Sequence, residues 1–202
     1  MEINVKDYLN RYVPDDLPVG TLQLPDISLE TEHIRVIMVN GVPPQNPADS
    51  FYSRAPQPDY LKTVIPLFQT AGVQVQSMND ILQKGIYITT AVKSPKSEYT
   101  VDTAVIKAHL PLLAAEIEMF PRLEVVMLMG DVAKKAFNLY SKQKIGKNTI
   151  PTGSTYKIRK DAFYYEEMRV FPSYIMTGGN ILIEKSKCVM IAEDIQQMMQ
   201  IL

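Results

Sequence analysis

Four short apolar runs set the rhythm of this chain: residues 34–39, 86–92, 124–129 and 167–171. Each stops at a turn-forming segment. These are Asn40-Gly41-Val42-Pro43-Pro44, Lys93-Ser94-Pro95, Gly130-Asp131 and Pro172-Ser173-Tyr174. Stretches of helical spacing separate the runs, and this alternation predicts a parallel sheet with helical crossovers. The expected fold class is α/β: a three-layer α/β/α sandwich around a central four-stranded, mainly parallel sheet. Right-handed crossovers leave few strand orders. A 2-1-3-4 order would set the ends of the first and third strands at a switch point, where such sheets bind ligands.

The helices are read from the spacing between the runs. Leu61, Val64, Ile65 and Phe68 share one helical face, with Gly72 as a natural stop. Ser77 is placed to cap a short helix over Met78–Gln83, ended by Gly85. Val105, Leu112, Leu113 and Ile117 mark a long helix reaching about Met119, which Pro111 should kink or split. Asp131 is expected to cap a helix over 132–140, and residues 183–202 close the chain as an amphipathic helix. Residues 1–30 hold Pro14, Pro18, Gly20 and Pro25, and are expected to form an N-terminal arm with a short helix over 4–12. The basic stretch 141–160 is expected as loops or a hairpin, 41–58 as a long proline-rich loop, and 172–180 as a loop containing Gly178-Gly179.

Composition narrows the class. The 202 residues are 46% hydrophobic, enough for one domain over 1–202 with its own core. A net charge of −1 excludes the global basic field of a strong nucleic-acid binder. A local basic rim from Lys134, Lys135, the lysines and Arg159 of 142–160, Lys185 and Lys187 stays open, with scattered solvated lysines as its alternative. The single Cys188 excludes an internal disulfide framework and suits a reducing compartment, so the expected location is cytoplasmic. No apolar run approaches the ~18 residues of a membrane span, and the N-terminus lacks the pattern of a signal peptide. His33 and His109 have no ligand-spaced companions, so no metal and no cofactor are expected. There is no Gly-x-Ser-x-Gly elbow for a Ser–His–Asp hydrolase, and no Gly-rich phosphate loop.

The strand-end segments, taken in order, resemble the uracil-DNA glycosylase superfamily, and most of all its branch related to the iron–sulfur bacterial and archaeal enzymes. Gly41-Val42-Pro43-Pro44 is similar to the family's Gly-x-x-Pro turn. The segment Ile88-Thr89-Thr90-Ala91-Val92-Lys93 is similar to its second-strand segment. Val126 to Ala133, with Gly130 opening a helix, resembles the third strand, and Phe171-Pro172-Ser173-Tyr174 the His-Pro-Ser loop. The chain departs from the family where its chemistry sits. Gly41 and Val42 stand where a polar or acidic residue places water. Thr90 replaces the Asn that pairs bidentately with uracil, and Phe171 replaces the His that stabilises the leaving base. With only Cys188, the four-cysteine cluster has no ligands.

The resemblance implies a base pocket and a DNA-facing loop. Asn40, Val42, Pro43, Thr90, Lys93 and Phe171 would line the base site, with Phe51 or Tyr52 stacking on the base or else anchoring the loop. Lys93 would meet base or phosphate, or else be solvated. Gly41, Asn46 and Asp49 would surround the attacking water, unless Asp49 is a turn residue. Ser173, Tyr174, Ile175, Met176 and Gly178 would face DNA, with Ile175 or Met176 as an apolar wedge. The implied partner is DNA or a nucleobase, with hydrolysis of an N-glycosidic bond as the activity. A non-catalytic binding protein of the same fold is the alternative, and a nucleotide-binding α/β protein unrelated to repair is a third reading.

Overall fold

The four apolar runs become the strands β3 (Val36–Asn40), β4 (Ile86–Thr90), β5 (Val125–Met129) and β7 (Met168–Ser173) of one sheet in the computed structural model, which describes residues 1–98 and 100–202. Every residue of β3, β4 and β5 is buried, because helices cover both faces of the sheet. Alternate side chains feed two cores. Ile37, Val39, Tyr87, Val126 and Leu128 pack against α1 (Val5–Leu9), α4 (Thr103–Glu118) and α5 (Asp131–Ile145). Val36, Met38, Ile88, Met127 and Phe171 pack against α2 (Asp59–Thr70), α3 (Met78–Gln83) and α7 (Lys185–Met199). At roughly 1.5–3 kcal/mol for each fully buried aliphatic side chain, these two layers hold the sheet together.

The sheet runs β4-β3-β5-β7-β6, parallel throughout except for β6 (Phe163–Tyr165), which pairs antiparallel with β7. The four long strands therefore follow the 2-1-3-4 order, and the switch point lies between the carboxyl ends of β3 and β5. The expected four-stranded sheet has a fifth, edge strand. Its hairpin turns through Glu166 at φ 52°, without the Asn-Gly or Asp-Gly pair that would have marked it. Tyr165 anchors it by packing its ring 5.7 Å from Phe137 and 5.5 Å from Tyr140.

Other expectations shift as well. Residues 1–30 are no free arm. The strand β1 (Glu2–Asn4) pairs antiparallel with β2 (Ser28–Glu30), and Val5 and Leu9 are fully buried in the core under α4. Pro111 does not split α4, which runs unbroken. The turn it disturbs lies over exposed Lys107, while Ile106, Leu110, Leu113 and Ile117 pin the other face to the sheet. The cap residue of α5 is Gly130, at φ +95°, and Asp131 is the first helical residue, paired with Lys134 at 2.7 Å. Within the basic stretch sits one further short helix, α6 (Thr155–Ile158). No helix among the described residues is long and apolar enough to cross a membrane.

Candidate ligand-binding site at the strand ends

The end of β3 is built to leave the sheet sharply. Ala91 and Val92 donate to Asn40 O and Gly41 O at 2.8 and 3.0 Å, so the β3–β4 pairing continues into the loop. Gly41 then passes the first turn of α5, where a Cβ would lie 3.4 Å from Val132 Cβ. Tyr60 donates its hydroxyl to Val42 O at 2.9 Å, and Gln23 its amide nitrogen to Pro44 O at 2.8 Å. The prolines thus hang between α2 and the N-terminal segment, and beneath them opens a cavity of about 210 Å³. Pro43, Pro44, Phe51 and Tyr52 give it apolar walls, and Gln23, Asp26, Ser50, Ser53 and Thr90 are among its polar residues.

A carbonyl only accepts hydrogen bonds, so Pro44 O fixes which end of the Gln23 amide faces it. The oxygen is left over. Among the described residues, the buried side-chain oxygens and nitrogens without a partner are Gln23 Oε1 and Asn40 Oδ1. Asn40 is fixed in the same way, its amide nitrogen donating to Thr89 O at 3.3 Å. An unmade bond on a buried acceptor costs about 1–3 kcal/mol, so each oxygen is a standing demand for a donor.

Of the residues expected at the base site, Val42, Pro43, Phe51, Tyr52 and Thr90 gather around or beside this cavity, and Asn40 is Thr90's neighbour across the β3–β4 register. Phe171 does not join them. It lies opposite Met127 inside the sheet, 2% exposed, in the α2–α7 core with the Arg169 guanidinium 4.1 Å from its ring centroid. Asn46 and Asp49 use their side-chain oxygens on backbone donors, Ala48 N at 3.2 Å and Asp59 N at 3.3 Å, so they shape the loop and the start of α2. Lys93 is neither solvated nor at a phosphate. It is fully buried, with its ammonium on Glu116 Oε2, Thr89 Oγ1 and Thr90 O.

Phe51 and Tyr52 anchor the long loop. Phe51 packs 5.1 Å from the Tyr60 ring. Tyr52 lies 18° from parallel to Tyr87, and its hydroxyl brackets Ile88 on the outer edge of β4, donating to the carbonyl at 2.7 Å and accepting from the amide at 3.1 Å. Burial raises its pKa well above 10.0, so it stays a neutral donor. Tyr52→Phe is therefore expected to cost about 1–3 kcal/mol, because it orphans a buried strand-edge amide and carbonyl. Urea denaturation reads the loss, and faster exchange of the Ile88 amide locates it.

The segment expected to face DNA borders a second hollow of about 640 Å³, beyond β5 and β7. Ile175 is 57% exposed and lies over Gly130, where a Cβ would come within 2.5 Å of its side chain. Tyr174 and Gly178 line the same hollow. Ser173 and Met176 are fully buried: Ser173 donates to Asp194 at 2.6 Å, and Met176 O accepts from Thr63 at 2.8 Å. The basic rim also shrinks, since Lys134 is buried on Thr155 and Asp131, and Arg159 on Asp194 and Glu193.

Gln23, Glu116 and Asp194, which were given no role from sequence, now stand out, as do Ser94, noted only as part of a strand-end turn, and His109, weighed only as a metal ligand. Glu116 and Asp194 did carry a signal, being carboxylates on the apolar stripes of α4 and α7 beside Leu113 and Ile117, and Ile191 and Ile195. Gln23, in a proline-rich segment without periodicity, carried none.

Fold and site together define an α/β/α sandwich with a small, partly apolar cavity at the carboxyl ends of β3 and β4, beside its topological switch point. No family model matches the chain, and no curated protein matches it. Among solved structures it is similar to the wild-type UNG crystal structure from Nitratifractor salsuginis, at 10% identity over 94% of this chain and 83% of that one, with a TM-score of 0.45.

Proposed function

We propose that this protein binds a nucleobase in the cavity under Pro43 and Pro44 and does not excise it. The observation that carries the reading is a cavity with apolar faces that Gln23, whose buried Oε1 has no donor, helps to line. The volume of about 210 Å³ suits one heterocycle rather than a drug-sized ligand, whose sites run roughly 300–1,000 Å³. Asp26, the carboxylate on its rim, faces Lys6 at 3.8 Å, so the site favours a neutral ligand. A flat, neutral ring with an N–H donor is what a pyrimidine or purine base presents. The ordered strand-end motifs support the same ligand class. The protein lacks the groups for excision at this cavity, because Asn46 and Asp49 do not line it and Phe171 is core.

Calorimetric titration with uracil, thymine and hypoxanthine, free and as single-stranded oligonucleotides carrying each base, tests this. Binding of at least one base is expected, weakened about tenfold by Gln23→Leu, the loss of one hydrogen bond of about 1–1.5 kcal/mol. Equal binding of a base whose ring N–H groups are methylated would contradict the donor–acceptor match, and no binding of any base would end the proposal. Release of a base from oligonucleotides carrying uracil or hypoxanthine would overturn the non-catalytic half.

A further inference from the structure

The chain leaves β4 through Lys93 and passes Ser94 beneath a groove of about 700 Å³, where Ser94 Oγ lies 3.2 Å from His109 Nε2 in the middle of α4. The other ring nitrogen, Nδ1, lies 2.9 Å from Val105 O. Since that carbonyl only accepts, Nδ1 carries the hydrogen and Nε2 presents its lone pair to Ser94. Thr21 donates its hydroxyl to Pro18 O at 2.9 Å and comes within 3.4 Å of Ser94 Oγ, so the serine proton has its better acceptor in the imidazole. Nucleophile, base and an orienting acceptor for the base stand in the order that activates a serine. His109 is 3% exposed, and Ser94 is half-buried at the groove.

We propose that Ser94 and His109 form a nucleophile–base pair that accepts an acyl group from a small carboxylic ester. This proposal is separate from nucleobase binding and stands or falls without it. The groove's flank of Leu17, Pro18 and Leu22 suits a short aliphatic acyl chain. Ser94 Oγ attacks the ester carbonyl carbon while its proton moves to His109 Nε2. The carbonyl carbon–alkoxy bond then breaks, and the departing alkoxide takes that proton as an alcohol. Water, deprotonated by the same nitrogen, cleaves the acyl-serine to the carboxylic acid and restores the hydroxyl. Burial and the neighbouring Lys93 charge lower the ring's pKa below 6.5, which keeps it a free base at neutral pH. The same charge opposes the imidazolium, so a slow reaction with an accumulating covalent serine is expected.

The test is labelling of the full chain with an alkyl fluorophosphonate, read by peptide mass spectrometry, in which the Oγ–P bond forms and fluoride leaves. One adduct on Ser94 is expected, absent in Ser94→Ala. It should form at least about tenfold more slowly in His109→Gln, given the 10²–10⁴ typical of a general base. The wild-type rate should rise with pH, reach half its plateau below pH 6.5 and then level. That profile needs no variant and holds even where His109→Gln fails to fold. p-Nitrophenyl acetate should give an acetyl-Ser94 peptide. Absence of any Ser94 adduct, an unchanged rate in folded His109→Gln, or a rate that climbs with hydroxide without levelling would overturn the proposal.

Discussion

Glu116→Ala is expected to destabilise the protein by about 3–5 kcal/mol, the cost of stranding a buried charge. Lys93 and Glu116 are both fully buried, 2.5 Å apart. Glu116 Oε2 holds the ammonium, while Oε1 accepts from Tyr87 and Thr89 hydroxyls at 2.7 Å each. Alanine therefore leaves an unpaired ammonium and two hydroxyls without their acceptor. In a chain of this size each kcal/mol lowers the melting temperature by roughly 2–4 °C, so a fall on the order of 10 °C is expected.

Two further variants separate charge from hydrogen bonding. Glu116→Gln keeps an acceptor for Tyr87 and Thr89 but leaves Lys93 uncompensated, so its loss should approach that of alanine. Adding Lys93→Met to Glu116→Gln removes both charges and keeps the acceptor, so it should recover most of the stability. A change under about 1 kcal/mol for Glu116→Ala would show that the pair does not hold the end of β4. The consequence reaches both candidate sites, because Lys93 O accepts from Gln23 N at 2.7 Å and Lys93 precedes Ser94.

The second large effect is expected at the far end of the sheet. Asp194, 1% exposed on α7, accepts from Arg159 at 2.8 Å and from Ser173 at 2.6 Å. It thereby ties α6, β7 and α7 together through one carboxylate. Burial raises its pKa, while the serine hydroxyl and the guanidinium work against that rise. Asp194→Ala leaves Arg159, 3% exposed, with Glu193 and Met190 O as partners. The expected cost is about 3 kcal/mol, below the Glu116 case because these partners remain. Equilibrium urea unfolding measures it. The same variant should loosen the 640 Å³ hollow beside Tyr174 and Ile175, seen as faster amide exchange there, while leaving the Pro43–Pro44 cavity unchanged. A loss below about 1 kcal/mol, or exchange rising equally at both ends of the sheet, would contradict this account.

Much of the architecture was legible in the linear chain because periodicity and stop signals are local. The apolar run of β3, the Ser77 cap of α3 and the halt at Gly85 each depend on a few adjacent side chains. The same local logic fixed the order of strands and helices, hence the sandwich, and put attention on the strand ends where the cavity lies. It failed where a segment's partner is remote. The β1–β2 pair joins residues at opposite ends of a proline-rich stretch, and β6 is held by Phe137 and Tyr140 of α5 rather than by its own three residues.

The chemistry was decided almost wholly by the tertiary structure. Gln23 meets Pro44, Ser94 meets His109 and Arg159 meets Asp194 across 21, 15 and 35 positions of sequence. A hydropathy pattern reports which face of an element is dry, and so flags Glu116 as a carboxylate in a dry place. It does not say which cation will neutralise it. That choice, like the stranding of Gln23 Oε1 and the docking of Ser94 on an imidazole, is made only when crossovers bring distant backbones together and low dielectric obliges each buried polar atom to find a partner. The sequence by itself determined the layers and where they end, because burial is read locally; the tertiary structure alone decided which buried polar atoms are satisfied and which are left without a partner.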